Sequence, residues 1–121
     1  MTVLDASALL AFLQGEAGAD EVEKELPRGV IGAANWSEVA QKVMARAGDW
    51  DLARGLLESY GLTVEPVTLD DAEHAARLWR AGSGLSLGDR LCLALGDRRD
   101  ARVLTADRAW GSSGRIDQLR S

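Results

Sequence analysis

Four acidic residues, Asp5, Glu38, Asp89 and Asp107, stand where extended runs give way to helical ones. Thr2-Val3-Leu4 leads straight into Asp5, and the helix-forming run from Ala8 to Leu13 follows at once. Arg102-Val103-Leu104-Thr105 leads into Asp107, while Glu38 and Asp89 come early in two helical stretches. In parallel α/β sheets, ligands and working groups gather outside the carboxyl ends of the strands. Four carboxylates drawn to that edge repel one another, and helix N-termini offset only part of the repulsion. A hard divalent cation removes the conflict. A ligand set of oxygen alone suits Mg²⁺ or Mn²⁺ rather than zinc. Such an ion bridges phosphate to protein and makes a nucleophile of water.

Each acid also has a plainer explanation. Asp is a favoured helix cap. Asn35 with Glu38, and Ser86 with Asp89, carry the spacing of a capping box, as does Thr68 with Asp71, where no chemistry is in prospect. Taken singly, each acid leaves both explanations open; the joint pattern favours the cation. Other chemistries find less support. His74 falls off the inward stripe of its helix, and Cys92 sits inside an apolar one beside Leu91 and Leu95, so no nucleophile–histidine pair is suggested. Gly82, Gly84 and Gly88 do not follow a strand with dinucleotide-binding spacing, and no phosphate-binding Gly-x-x-x-x-Gly-Lys occurs.

The elements that must position these acids alternate. After a first strand and helix, Asp20 to Leu26 reads as a short helix that Pro27-Arg28-Gly29 ends, and Val30 to Ala33 as a buried strand. A helix from Trp36 to about Ala47 turns Trp36, Val39, Ala40, Val43, Met44 and Ala47 to the core. Asp49 caps the next, with Leu52, Leu56, Leu57 and Tyr60 on its inner side. Leu62 to Val67 is a strand that Pro66 confines to an edge or an end. Thr68 opens a helix through Arg80, with Leu69, Ala72, Ala76 and Trp79 inward. Another helix runs from near Ser86 to about Arg98, followed by strands at 102–105 and 116–119. The order β-α-β-α-α-β-α-α-β predicts an α/β fold with a mainly parallel sheet of four to five strands between helical layers.

The totals set bounds. A chain of 121 residues is expected to be one domain spanning 1–121. One cysteine excludes an internal disulfide framework and a cysteine-based zinc site, so a reducing, cytoplasmic compartment is expected. No apolar run approaches the ~18 residues of a membrane span, and no basic region precedes an apolar one as in a signal peptide. The net charge of −5 argues against a nucleic-acid partner until it is divided. Residues 1–76 carry 5 basic and 14 acidic side chains, giving −9; residues 77–121 carry 9 and 5, giving +4, and all nine bases are Arg. Arginine is suited to gripping phosphates, although scattered arginines also serve simply to solvate helices.

Taken together, Val3-Leu4-Asp5-Ala6-Ser7-Ala8, Asn35-Trp36-Ser37-Glu38-Val39, Leu85-Ser86-Leu87-Gly88-Asp89-Arg90 and Leu104-Thr105-Ala106-Asp107-Arg108-Ala109-Trp110 resemble the motifs of PIN-domain ribonucleases of the VapC toxin type. The likeness covers nearly the whole chain, and the blocks come in the family's order. It implies a PIN-like three-layer α/β/α sandwich and a Mg²⁺-dependent endoribonuclease acting as the toxin of a toxin–antitoxin pair. It further implies Asp5, Glu38, Asp89 and Asp107 as the acidic cluster, a homodimer, and a cognate antitoxin that covers the site. On this reading Asp5 and Asp89 are the primary metal ligands, while Glu38 and Asp107 orient water or hold a second ion. Ser7, Asn35 and Thr105 hydrogen-bond the carboxylates, and Arg90 and Arg108 grip phosphates of the RNA. Two departures stand out. Some members carry a further acid after the fourth, where this chain has Trp110; and Gly96 is a weak helix former inside the helix that follows Asp89.

Two rival readings remain. A receiver-like phosphoacceptor domain has a comparable length and an acidic Mg²⁺ pocket, but its adjacent acids and late lysine are missing: Ala6 follows Asp5, and both lysines, Lys24 and Lys42, come early. A non-catalytic PIN-fold interaction module is expected to have lost an acid, and all four are present.

Overall fold

A computed structural model of the chain describes residues 1–120. Strands β1 (Thr2–Leu4), β2 (Gly29–Gly32), β3 (Thr63–Glu65), β4 (Arg102–Thr105) and β5 (Ile116–Gln118) form one sheet in the order β3-β2-β1-β4-β5. Every pairing is parallel, with Val3 opposite both Val30 and Val103 and Leu4 opposite Leu104. The helices are α1 (Ala6–Leu13), α2 (Ala19–Glu25), α3 (Ala33–Ala45), α4 (Trp50–Ser59), α5 (Leu69–Arg77) and α6 (Leu87–Arg99). Strand β3 takes an edge of the sheet and stops at Glu65, directly before Pro66, which has no amide to donate to a ladder. Among the described residues no helix is long and apolar enough to cross a membrane.

Strand side chains alternate between faces, and this divides the core in two. Leu4, Ile31 and Leu104 point to the layer of α1, α2, α3 and α4, where they meet Leu9, Val22, Val39 and Leu57. Val3, Val30 and Val103 point the other way, onto Cys92 and Leu95 of α6, with Trp110 closing the end. Each such side chain stabilises the fold by roughly 1.5–3 kcal/mol through burial. Helix α5 lies outside α6 and is held to it by Arg98, whose guanidinium meets Asp71 at 2.8 Å and Glu65 at 3.3 Å.

Several expectations need correction. Helix α3 starts at Ala33, three residues early, because Ala33 and Ala34 are good helix formers and extended Gly32 passes directly into the first turn. Asn35 therefore lies inside the helix and caps nothing. Leu52, Leu56, Leu69 and Trp79, expected inside, are exposed, as is Met44. Helix α4 buries Leu57 and packs Trp50 and Tyr60 against the core, leaving its other apolar edge over an open groove with Leu13 and Val43. Gly96 has a packing reason. A Cβ there would stand 2.4 Å from Val103 Cγ2, so the missing side chain lets α6 lie directly on β4. That contact offsets a helix-propensity cost of about 1 kcal/mol.

From β1 the chain crosses to β2 and β3 on one side, then returns to β4 and β5 on the other. Connections leaving β1 and β4 thus run in opposite directions, and such a switch point opens a crevice at the carboxyl ends of those two strands.

Candidate functional site

Asp5 follows β1 at that crevice. It caps α1, accepting from the Ala8 amide at 2.8 Å, and is only 4% exposed. The Thr105 hydroxyl donates to Oδ2 at 2.6 Å, and the Ser7 hydroxyl donates to Oδ1 at 2.8 Å. Both hydroxyls are used twice. Ser7 Oγ accepts from the Ala106 amide at 2.9 Å and Thr105 Oγ1 from the Asp107 amide at 3.0 Å, tying the loop after β4 to the carboxylate after β1. Gln118 of β5 clasps that loop from the far side, donating to the carbonyls of Asp107 and Gly111 at 3.0 and 2.6 Å.

The electrostatics of Asp5 are unusual for so buried an acid. Burial pushes its pKa up to about 6; the hydrogen bonds from Thr105, Ala8 and Ser7 pull it down, and the charge of Asp89 adds to the rise. Asp71, also 4% exposed, makes the comparison. Burial works against its charge too, yet Arg98 and Thr68 carry it below the ordinary carboxylate range. Asp5 has no such cation among the described residues, and neither have Glu38, Asp89 and Asp107.

Glu38 occupies the second turn of α3, facing the start of α6. Asn35, one turn earlier and 2% exposed, donates to Glu38 Oε1 at 2.8 Å and to the Gly88 carbonyl at 3.2 Å. Its own carbonyl oxygen is buried without a partner among the described residues. Gly88 provides the space: a Cβ there would come within 2.7 Å of Glu38 Oε1. The sequence signal was a glycine in a helix's first turn next to an acid, set aside above only as a poor dinucleotide motif.

Asp89 completes a capping box with Ser86, its carboxylate accepting from the Ser86 amide at 3.0 Å and its amide donating to the Ser86 hydroxyl at 3.1 Å. Cap and candidate ligand are therefore not exclusive roles for Asp5 or Asp89. Cys92, one turn into α6 and fully buried, reports how three of the acids converge. Its thiol pKa is driven up by burial and then by the charges of Asp5, Asp89 and Glu38. Asp107 exerts no such effect. It is exposed, caps the short turn Arg108–Trp110, and joins the others through the hydroxyls of Ser7 and Thr105. As the side chains stand, no three His, Cys, Asp or Glu among the described residues could share one ion. Joint coordination thus requires the carboxylates to draw together. The donor set fits a hard cation: all oxygen, without counter-charge among the described residues, and with Asp5 ionised only at a cost that a cation would remove.

Arg90 departs from the expectation. Its guanidinium donates to the Ala75 carbonyl at 2.8 Å, fastening α6 to α5. Arg108, next to Asp107, is exposed and makes contacts of its own.

The PIN domain family model matches residues 2–113. Ribonuclease VapC42 of Mycobacterium tuberculosis is 35% identical over 106 residues, spanning 77% of this chain and 80% of that protein. A chain of a toxin–antitoxin complex from Klebsiella pneumoniae superposes with a TM-score of 0.83 at 19% identity, covering 100% of this chain and 99% of that one. VapC20 of Mycobacterium tuberculosis, described as a sarcin–ricin loop cleaving toxin, gives a TM-score of 0.68 at 21% identity over 88% of each chain. The two structural likenesses speak to the fold.

Proposed function

We propose that this chain, which belongs to the PIN domain family and within it to the VapC-type ribonucleases, is an endoribonuclease acting as the toxin of a toxin–antitoxin pair. The observation that carries the reading is the Asp5 carboxylate, buried without a cation among the described residues and facing the charge of Asp89, in a crevice that Glu38 also enters. Asp5 and Asp89 hold a divalent ion, Mg²⁺ with Mn²⁺ as substitute, and Glu38 and Asp107 orient water or support a second ion. When bound, the cation polarises the phosphate and lowers the pKa of water. Ser7 and Thr105 keep the Asp5 oxygens in place, and Asn35 with Gly88 does the same for Glu38. Hydrolysis adds a water oxygen to phosphorus and breaks the bond to the leaving ribose oxygen, which takes up a proton.

The RNA substrate, a cognate antitoxin that covers the crevice, a homodimer and a cytoplasmic setting belong to this reading. It is tested by incubating mixed RNA with the protein and Mg²⁺ or Mn²⁺, beside a chelator control and Asp5→Asn. Cutting should need the metal and fall by about 100-fold or more in the variant. Equal cutting by the variant would sink the reading; RNA binding without cleavage would favour a non-catalytic module.

A further inference from the structure

We propose that Lys42 and Arg46 form a subsite for RNA phosphates flanking the one that is cut, so that the strand leaves the acidic crevice along α3. The proposal rests on the nuclease reading above and adds a direction to it. Glu38, Lys42 and Arg46 recur every fourth residue, which puts them on one face of α3, roughly 6 Å apart along the axis. The row starts at the carboxylate seated against Gly88 and proceeds into positive charge that meets no acid among the described residues.

A cleft of about 310 Å³ joins this row to the crevice. Ser7 and Asp107 line it from the acidic side, Lys42 and Arg46 from α3, and Glu16 and Arg120 from the rim. Glu16 and Arg120 answer each other at 3.7 Å. Lys42 and Arg46 have no acidic partner among the described residues, and both are exposed. This inverts the charge division read from the sequence. Of the C-terminal arginines, Arg98, Arg99, Arg102, Arg115 and Arg120 are held by carboxylates, and Arg80 and Arg90 by backbone carbonyls. Lys42 and Arg46, which line the cleft without an acidic partner among the described residues, come instead from the acidic half of the chain. Asp107 on the cleft's inner wall repels a free anion. A polyanion anchored in the crevice by its scissile phosphate is brought past that wall by its own continuity and reaches both cations in turn.

The test compares full-length protein with the Lys42→Gln/Arg46→Gln double variant, whose fold is checked by circular dichroism. Binding to a labelled single-stranded RNA pool is followed by anisotropy over a salt series, and cleavage with Mg²⁺ is resolved into kcat and KM. The double variant should raise Kd and KM about tenfold, leave kcat within about twofold, and flatten log K against log salt by about 1.4, two single-strand phosphate contacts. Restoring charge with Lys42→Arg/Arg46→Lys should recover the slope. An unchanged slope and KM would overturn the subsite, as would loss of polyglutamate binding alone, which marks a site for an acidic peptide. If the wild type binds RNA with the expected slopes but does not cut it, the nuclease reading fails and the phosphate track stands.

Discussion

Replacing Asp5 with Asn should make the metal-free protein more stable at neutral pH, and the gain should vanish in acid. Asp5 rises from an ordinary 3.8 to about 6 in the folded chain. At about 1.4 kcal/mol per unit, its ionised form costs the fold at most roughly 3 kcal/mol. The sign follows from linkage. The folded state holds the proton more tightly, so stability is complete below pH 3.8, declines as pH rises towards 6, and stays low above that. Asn cannot ionise and escapes the decline. Its carbonyl oxygen keeps the Ala8 and Ser7 bonds, but the bond donated by Thr105 must reverse, a loss of about 1 kcal/mol. The net gain near pH 7.5 is then roughly 1–2 kcal/mol, or about 4–8 °C in Tm for a chain of this size. At pH 4 the variant should be equal or slightly worse. Saturating Mg²⁺ should stabilise the wild type by about 2.7 kcal/mol at a hundredfold excess over Kd, cancelling the variant's lead. Thermal melts in chelator and in Mg²⁺ from pH 4 to 8 read all of this. A variant less stable throughout, or one with the wild-type pH slope, would refute the idea of an uncompensated buried charge.

Two glycines should respond to Ala in opposite ways. Gly88→Ala places a methyl 2.7 Å from Glu38 Oε1 in a helical turn where Ala is the better residue. Urea stability should hold or rise by up to about 1 kcal/mol, while Mn²⁺ affinity by calorimetry falls about tenfold; equal affinity would show that the notch does not position Glu38. Gly96→Ala drives a methyl to 2.4 Å from Val103 Cγ2. Overpacking there should lower the unfolding free energy measured in urea by about 1–3 kcal/mol despite the propensity gain, and a stabilised variant would contradict the close approach of α6 to β4.

The fold was legible because short apolar runs and breakers agreed with one another: Val3 with Leu4 and Val103 with Leu104 lie in buried strands, each pair divided between the two faces of the sheet. What misled was apolar periodicity on outer helices. Leu52 and Leu56 stand four apart, at helical spacing, beside buried Leu57, yet an apolar stripe cannot say how far a neighbour extends to cover it. The acids at strand ends could be placed from the sequence because β1 and β4 fix them within a residue or two. Glu38 was placed at a helix start it does not occupy, since the boundary of α3 depends on Gly32 being extended rather than on a capping side chain. Arg90 was read as reaching for a ligand because sequence adjacency to Asp89 says nothing of direction; helical geometry turns it to α5 instead.

The double use of the Ser7 and Thr105 hydroxyls, with Gln118 across the loop, has a bearing on how this chain can drift. The turn from Asp107 to Gly111 is fastened to its neighbours on both sides before the run Ser112-Ser113-Gly114 begins. Residues lost or gained in that run therefore shorten or lengthen a tether rather than displace a carboxylate. The chain can vary its outer rim, and with it whatever touches that rim, while the chemistry a few residues upstream is insulated from the change.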